Sequence, residues 1–305
     1  MHKPLISVVV PVYNKKSHII QTLETVRAQT FKEWECLIID DGSTDGSANL
    51  ILNSFENEFK EAKFMMKTID NSGQSVARNT GIQLSKGKYI ALLDGDDLWN
   101  SKKLEWQYEL LEMYPQCDLA LGAYSISQNG APIRIVKHSS GSQMIKDWLY
   151  LRGFGGAFES VALVRSEITK QALFDDDFST SAGLELFLRI LDWNPIFVYD
   201  SRVQFSYTKY SGQWHTDYFE LERNLRSVAN RHFPSKIDIF EGNLAAYASL
   251  IRIKSATKNH SFLAVIREFK LGHLYFILSK ATKYFFSVFR GLFYSNSEPK
   301  LYSGK

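Results

Sequence analysis

Cysteine is scarce: Cys36 and Cys117 are the two in 305 residues. They form no CxxC pair, so neither a disulfide framework nor a thiolate metal site is expected. Cys36 lies inside an apolar run and reads as a small buried hydrophobe. Long apolar runs are also missing. With no stretch of ~18 uncharged apolar residues, no segment is expected to cross a membrane as a helix. The opening MHKPLISVVVPVYN has neither the apolar core nor the cleavage site of a secretory leader, and the expected location is the cytoplasm. Nor does one sign of charge dominate, because 36 Lys and Arg face 33 Asp and Glu for a formal net charge of +3.

That small charge is unevenly spread. Residues 216–305 carry 14 Lys and Arg against 7 Asp and Glu, a net +7 that leaves −4 for residues 1–215. An acidic front half excludes the basic face of a nucleic-acid binder, so no nucleic acid is expected as a partner. Hydrophobic residues at 45% and charged residues at 23% support a sizeable core and exclude global disorder.

Periodicity gives the layout. LISVVVPV at 5–12 is a β-branched run suited to a strand covered on both faces. Ile19, Leu23 and Val26 then recur at helical spacing, predicting a helix over 17–29. WECLII at 34–39 is a second strand. Ala48, Leu52, Phe55 and Phe59 mark a second helix capped by Thr44 or Asp45. A short strand over 63–69, a helix over 74–85 and a strand over 88–93 follow, then a helix through Leu104, Tyr108 and Leu111 that ends at Pro115. This βαβαβαβα order predicts a Rossmann-like α/β fold, with a mostly parallel central sheet flanked by helices. Beyond 117 the pattern changes: LALGAYSIS and APIRIVK flank an Asn129-Gly130 hairpin turn, and a strand near 202–207 precedes a helical C-terminal region.

In an open parallel sheet the ligand site lies beyond the carboxyl ends of the strands. Those ends here carry Tyr13-Asn14, Asp40-Asp41-Gly42-Ser43, Asn71-Ser72-Gly73 and Asp94-Gly95-Asp96-Asp97. Three carboxylates within residues 94–97 repel one another unless compensated, and a hard divalent cation with oxygen ligands is one way to do so. The plain alternative is a helix cap at Asp97 and two solvated neighbours. Asp40 and Asp41 read equally as turn residues or as acceptors for the N–H of a pyrimidine base. Gly73 followed by Arg78 places a cation one turn inside a helix start, which suits an anion, or else makes an ordinary surface ion pair.

Taken in order, SVVVPVYN at 7–14, DDGSTDGS at 40–47, NSGQSVARNTGI at 71–82 and KYIALLDGDDLW at 88–99 resemble the family 2 glycosyltransferases of the GT-A fold. The resemblance is strong over 5–115 and weaker over 155–213. It implies a nucleotide-diphosphate-sugar donor, commonly UDP-linked, and a glycan or lipid-linked acceptor. Pro11, Tyr13 and Asn14 would line the nucleoside pocket, Asp41 would meet the base, and Arg78 would sit near base or phosphate. Asp94-Gly95-Asp96 matches the family's DxD element, so Asp96, with Asp94, would hold Mn2+ or Mg2+. Relatives usually invert the anomeric centre with a base from a Glu-Asp pair, but Ala182-Gly183 stands there in this chain. Three readings stay open: a displaced base at Glu185 or among Asp175, Asp176 and Asp177; a slow enzyme; or a non-catalytic nucleotide-sugar-binding subunit. A nucleotidyltransferase is a weaker, different reading. Lys209 in YTKYSGQ offers positive charge near the diphosphate, and Trp148, Gly153-Phe154-Gly155-Gly156 and Trp214 suggest an acceptor region.

The chain is thus expected to divide into a nucleotide-sugar domain over 1–215 and a basic, aromatic extension over 216–305. Within the latter, FKLGHLYFILSKATKYFFSVFRGLFY at 269–294 is interrupted by Lys270, Lys280, Lys283 and Arg290, which suits a helix lying at a membrane surface. The alternative is a helix packed on its own domain or on a second copy of the chain, as a homo-oligomer.

Overall fold

In a computed structural model, the structure describes residues 3–128, 131–136, 158–178, 181–209, 218–232 and 300–303. The chain falls into two compact units: Met1–Gln213 with Glu298–Lys305, and Trp214–Ser297.

The first unit is built on a ten-stranded mixed sheet. Its spine runs β10 (Lys300–Ser303), β9 (Ile196–Lys209), β6 (Leu119–Gln128), β8 (Leu163–Arg165), β4 (Tyr89–Leu92), β1 (Ile6–Val12), β2 (Trp34–Asp40), β3 (Phe64–Thr68). Two short strands stand beside that path: β5 (Leu98–Trp99) pairs with β9, and β7 (Ala131–Val136) pairs with β6. β1 to β4 are mutually parallel, and β6 and β9 run the same way. β8 and β10 are opposed to them, the former wedged antiparallel between β4 and β6.

The β-branched runs become the centre of this sheet because helices cover both faces. Every residue of β2 is buried, as is all of β1 except the half-buried Pro11. Val9 pairs with Leu37 on one side and Leu92 on the other. The polar residues in these strands are accounted for at the end remote from the loops discussed below. Ser7 Oγ donates to Glu35 Oε1 at 2.6 Å, which also accepts the Lys86 backbone N–H at 2.8 Å. One buried carboxylate therefore ties β1, β2 and the turn into β4 together.

Helices α1 (Ile19–Arg27), α2 (Ser47–Ser54), α3 (Glu56–Lys60), α4 (Gln74–Leu84) and α5 (Lys103–Met113) follow the predicted order. The expected single helix through Ala48 and Phe59 breaks at Phe55, whose ring is fully buried against Phe64, so core packing wins over helical continuity. Asp45 Oδ1 accepts the Ser47 N–H at the α2 start. α4 lies on β1 and β2 so closely that a Cβ on Gly81 would sit 2.3 Å from Val9 Cγ1. Gly81→Ala is therefore expected to cost about 1–3 kcal/mol through overpacking, read as a lower urea midpoint at unchanged m-value. An unaltered midpoint would mean that α4 can ride away from the sheet.

After β7 come α6 (Phe158–Val161), α7 (Ser166–Ala172) and α8 (Ala182–Asp192). In the second unit the structure describes α9 (Tyr218–His232). Asn129-Gly130, Trp148, Gly153–Gly156, Tyr210–Trp214 and the 269–294 segment lie outside the described residues. Among the described residues no helix is long and apolar enough to cross a membrane.

Candidate functional site

The loops at the carboxyl ends of β1, β2, β3 and β4 are joined to one another by named contacts. Asn14, in the left-handed region at φ 51, uses its side-chain Oδ1 to accept the Thr44 and Asp45 backbone N–H groups, and its own N–H meets Ser43 Oγ. That locks the β1 loop to the β2 loop. Asp41, 3% exposed, accepts the Ser72 N–H at 2.7 Å and the Gly73 N–H at 2.9 Å, locking the β2 loop to the entrance of α4. Arg78, on α4, reaches Asp94 at 2.5 Å, and Lys15, just past β1, reaches Asp96 at 2.5 Å. The sequence-predicted residues Asn14, Asp41, Arg78, Asp94 and Asp96 therefore share one rim. Tyr13, 47% exposed, and Pro11, whose carbonyl oxygen lies 3.3 Å from where a Gly95 Cβ would be, border the same rim.

Several of these residues are more deeply committed than their sequence suggests. Arg78 is not a surface cation: its side chain is 2% exposed, its guanidinium stacks 5.1 Å from the Phe174 ring centroid, and Glu159 Oε1 lies 3.8 Å away. Burial works to lower its pKa, but Asp94 and Glu159 outweigh burial and the net shift is upward. Asp97 does not cap α5, whose start has no side-chain cap. It is buried, accepts a hydrogen bond from Ser160 Oγ at 2.6 Å, and its Oδ1 lacks a well-formed hydrogen bond among the described residues. Burial first, then Asp94 and Asp96, hold the Asp97 carboxyl well above the usual carboxylate range. The same neighbourhood includes Tyr207 on β9, whose phenol is pushed up by burial and then by Asp97, Asp96, Asp94 and Glu159.

Glu185, one of the candidates for a displaced base, is already engaged within the fold. It is fully buried on α8 and receives the Arg189 guanidinium at 2.7 Å. Arg189 also donates to the Ala172 and Leu173 carbonyls, so this pair ties α8 to α7 and is not exposed. Phe174 O accepts from Asn79 Nδ2 at 2.9 Å, and Asp175 is spent on the turn that contains Asp177.

Sequence reasoning missed three participants. Lys15 sits one residue beyond the SVVVPVYN block, and its charge gave no sign of its partner. Ser160 lies between Asp94 and Asp97, meeting the Asp94 N–H at 3.3 Å as well as Asp97. Glu159, buried on α6, comes from a stretch with no periodic signal at all.

A divalent ion can be tested against this arrangement. Asp94, Asp96 and Glu159 outnumber the two cations beside them, Lys15 and Arg78, even with the Asp97 carboxyl biased toward its protonated form. The donors offered are the carboxylate oxygens of Asp94 and Asp96, hard ligands that suit Mg2+ or Mn2+ over softer metals. Among the described residues no three acidic, His or Cys side chains form a ready metal cage. An ion held by one or two carboxylates and completed by ligand phosphates needs no such cage. The residues present fit such an ion.

Comparison with known proteins agrees with this architecture. The family model for glycosyl transferase family 2 matches residues 7–172. TuaG of Bacillus subtilis (strain 168), a glycosyltransferase named for teichuronic acid biosynthesis, is 38% identical over 148 residues, covering 48% of this chain and 58% of its own length. WfgD of Escherichia coli, named a UDP-Glc:alpha-D-GlcNAc-diphosphoundecaprenol beta-1,3-glucosyltransferase, is 32% identical over 128 residues, covering 42% of this chain and 48% of its own. The chain thus spans about half the length of these relatives. Among solved structures, S. aureus TarS 1-349 in complex with UDP-GlcNAc superposes with a TM-score of 0.60 at 18% identity, over 80% of this chain and 71% of that one. A mannosyltransferase from Pyrobaculum calidifontis, in complex with GDP-Man and Mn2+, gives 0.56 at 15% identity, over 95% and 83%. At such identities the structural likeness speaks for the GT-A fold alone.

Proposed function

The chain belongs to glycosyl transferase family 2, and from that membership we propose that it transfers a sugar from a nucleotide-diphosphate-sugar donor, UDP-linked by preference, to a hydroxyl of a polysaccharide or lipid-linked glycan. The observation that carries this reading is the joined rim of Asp41, Arg78, Asp94, Asp96 and Lys15 at the strand ends. The names of TuaG and WfgD support a glycan acceptor, and WfgD's name supports UDP and a lipid diphosphate.

In this reading the nucleoside lies along Pro11, Tyr13 and Asn14, with Tyr13 offering an exposed ring face. Asp41 fixes the loop that receives the base, since its own oxygens are engaged by Ser72 and Gly73. Asp96 and Asp94 would hold Mn2+ or Mg2+, which when bound supplies Lewis-acid neutralisation of the leaving diphosphate. Arg78 and Lys15 keep the two carboxylates aimed by charge-assisted hydrogen bonds. The acceptor oxygen bonds to the anomeric carbon from the side opposite the diphosphate, the carbon–oxygen bond to phosphate breaks, and the anomeric centre inverts. One proton must leave the acceptor hydroxyl.

The absence of an acidic pair at Ala182-Gly183 favours a second reading, a donor-binding subunit without turnover of its own. A panel of UDP- and GDP-sugars with Mn2+ separates these. The expected product is nucleoside diphosphate. Tight binding without release supports the subunit reading, and pyrophosphate release from nucleoside triphosphates would instead indicate nucleotidyl transfer.

A further inference from the structure

The acceptor proton needs a destination, and most carboxylates around the rim are already engaged. Asp41 holds two backbone amides, Asp94 holds Arg78, Asp96 holds Lys15, Asp97 is buried under Ser160, and Glu185 is locked to Arg189. Glu159 is different. Its side chain is 10% exposed, and among the described residues its favourable contacts are Arg78 at 3.8 Å and its own backbone N–H. A guanidinium at that distance steadies the carboxylate without closing a tight pair over it.

Its position is set by a vacancy. A Cβ built on Gly183 would lie 1.8 Å from Glu159 Oε1, 2.1 Å from Cδ and 2.6 Å from Oε2. The Glu159 carboxylate therefore fills the room into which any side chain at 183 would project from the first turn of α8. The two halves of the arrangement need each other: with a side chain at 183 the carboxylate has no place, and without Glu159 that space holds no acid, because Glu185 in the same turn is tied to Arg189.

We propose that Glu159, delivered from α6 into the space left by Gly183, is the catalytic residue that takes the proton from the acceptor hydroxyl. The assignment rests on the glycosyl-transfer reading above. As the acceptor oxygen bonds to the anomeric carbon, the electron pair of the breaking carbon–oxygen bond leaves with the nucleoside diphosphate. The hydroxyl proton passes to a Glu159 oxygen and from there to solvent. Burial, which lifts the proton affinity of this carboxyl, is consistent with the role; Arg78 pulls it partly back and Asp94 lifts it again.

The test uses the full chain, Mn2+ and the UDP- and GDP-sugar panel, with water as acceptor because hydrolysis needs the same proton transfer. Glu159→Gln, close in shape, is expected to bind UDP within about threefold of the parent while nucleoside diphosphate release falls about 100-fold, the scale of general-base catalysis. Glu159→Ala should lose as much, and Glu159→Ala with Gly183→Asp should regain at least about tenfold, since the carboxylate returns from the other side of the same space. A residue with a merely structural role gives no such rescue. Parental turnover by Glu159→Gln would overturn this assignment and leave the glycosyltransferase reading standing. No release by the parent from any donor would overturn both.

Discussion

Asp96→Ala is expected to lower Mn2+-dependent turnover of the sugar donor by about 1,000-fold, because electrostatic neutralisation of the leaving diphosphate is the largest contribution the rim can make. Three side chains crowd this stretch, Asp94, Asp96 and Asp97, and each has a different partner. Asp97 is buried with its carboxyl biased toward the protonated form, so it brings little charge to a ligand. Asp94 shares its charge with the buried Arg78. Asp96 is opposed by Lys15, whose side chain is 33% exposed and has room to move when a stronger cation arrives. Removing the Asp96 carboxylate leaves Lys15, 33% exposed, free to hydrate and relieves repulsion of Asp97, so the loss of stability should be smaller than that expected for Arg78→Met. The expected signature is lost turnover in a protein that unfolds normally. Full activity in Asp96→Ala would show that the metal assignment is wrong.

Arg78→Met is expected to do the opposite: damage the fold first. Its guanidinium is the one described cation set between the Asp94 and Glu159 carboxylates, and its side chain is 2% exposed. Truncating one member of a buried charged pair costs about 3–5 kcal/mol because its partner is left uncompensated. The lower end applies here, since Asp94 is 32% exposed and can hydrate. A loss of about 3 kcal/mol corresponds to a melting point lower by about 10 °C in a unit of this size. Thermal unfolding followed by circular dichroism checks it; an unchanged midpoint would mean that the two carboxylates find protons or water at no cost. Donor binding should weaken in parallel, since Arg78 aims Asp94.

The parts of this fold that could be read in the sequence are those where one physical rule acts alone. β1 and β2 are unbroken β-branched runs because both faces are covered, and both begin and end within a residue of their expected bounds. The polar clusters at strand ends converge because parallel strands must end on one edge. Where two rules compete, the reading fails. β8 is three residues long, too short to show a period, yet it stands antiparallel between β4 and β6 and turns a run of parallel strands into a mixed sheet. β10 returns to pair with β9 from more than 100 residues away, a contact that no local pattern encodes. Arg78 and Glu185 are charged residues on helices, and charge argues for exposure. Both are buried because each found an opposite charge on the same or a facing element, Asp94 and Arg189. Glu159 was hidden for a further reason. The clue to it is an absence at Gly183, and a missing side chain has meaning only once the neighbour that fills the space is known.

The central claim is that this acidic rim grips a nucleoside diphosphate through a divalent ion. Calorimetric titration of UDP and GDP into the full chain, with Mn2+ and with a chelator, tests it most directly. The account predicts that at least one of the two binds at least about tenfold more tightly with Mn2+, a difference of about 1.4 kcal/mol, and that Asp96→Ala abolishes the difference. Equal affinity with and without the ion, in the parent and the variant alike, would contradict it.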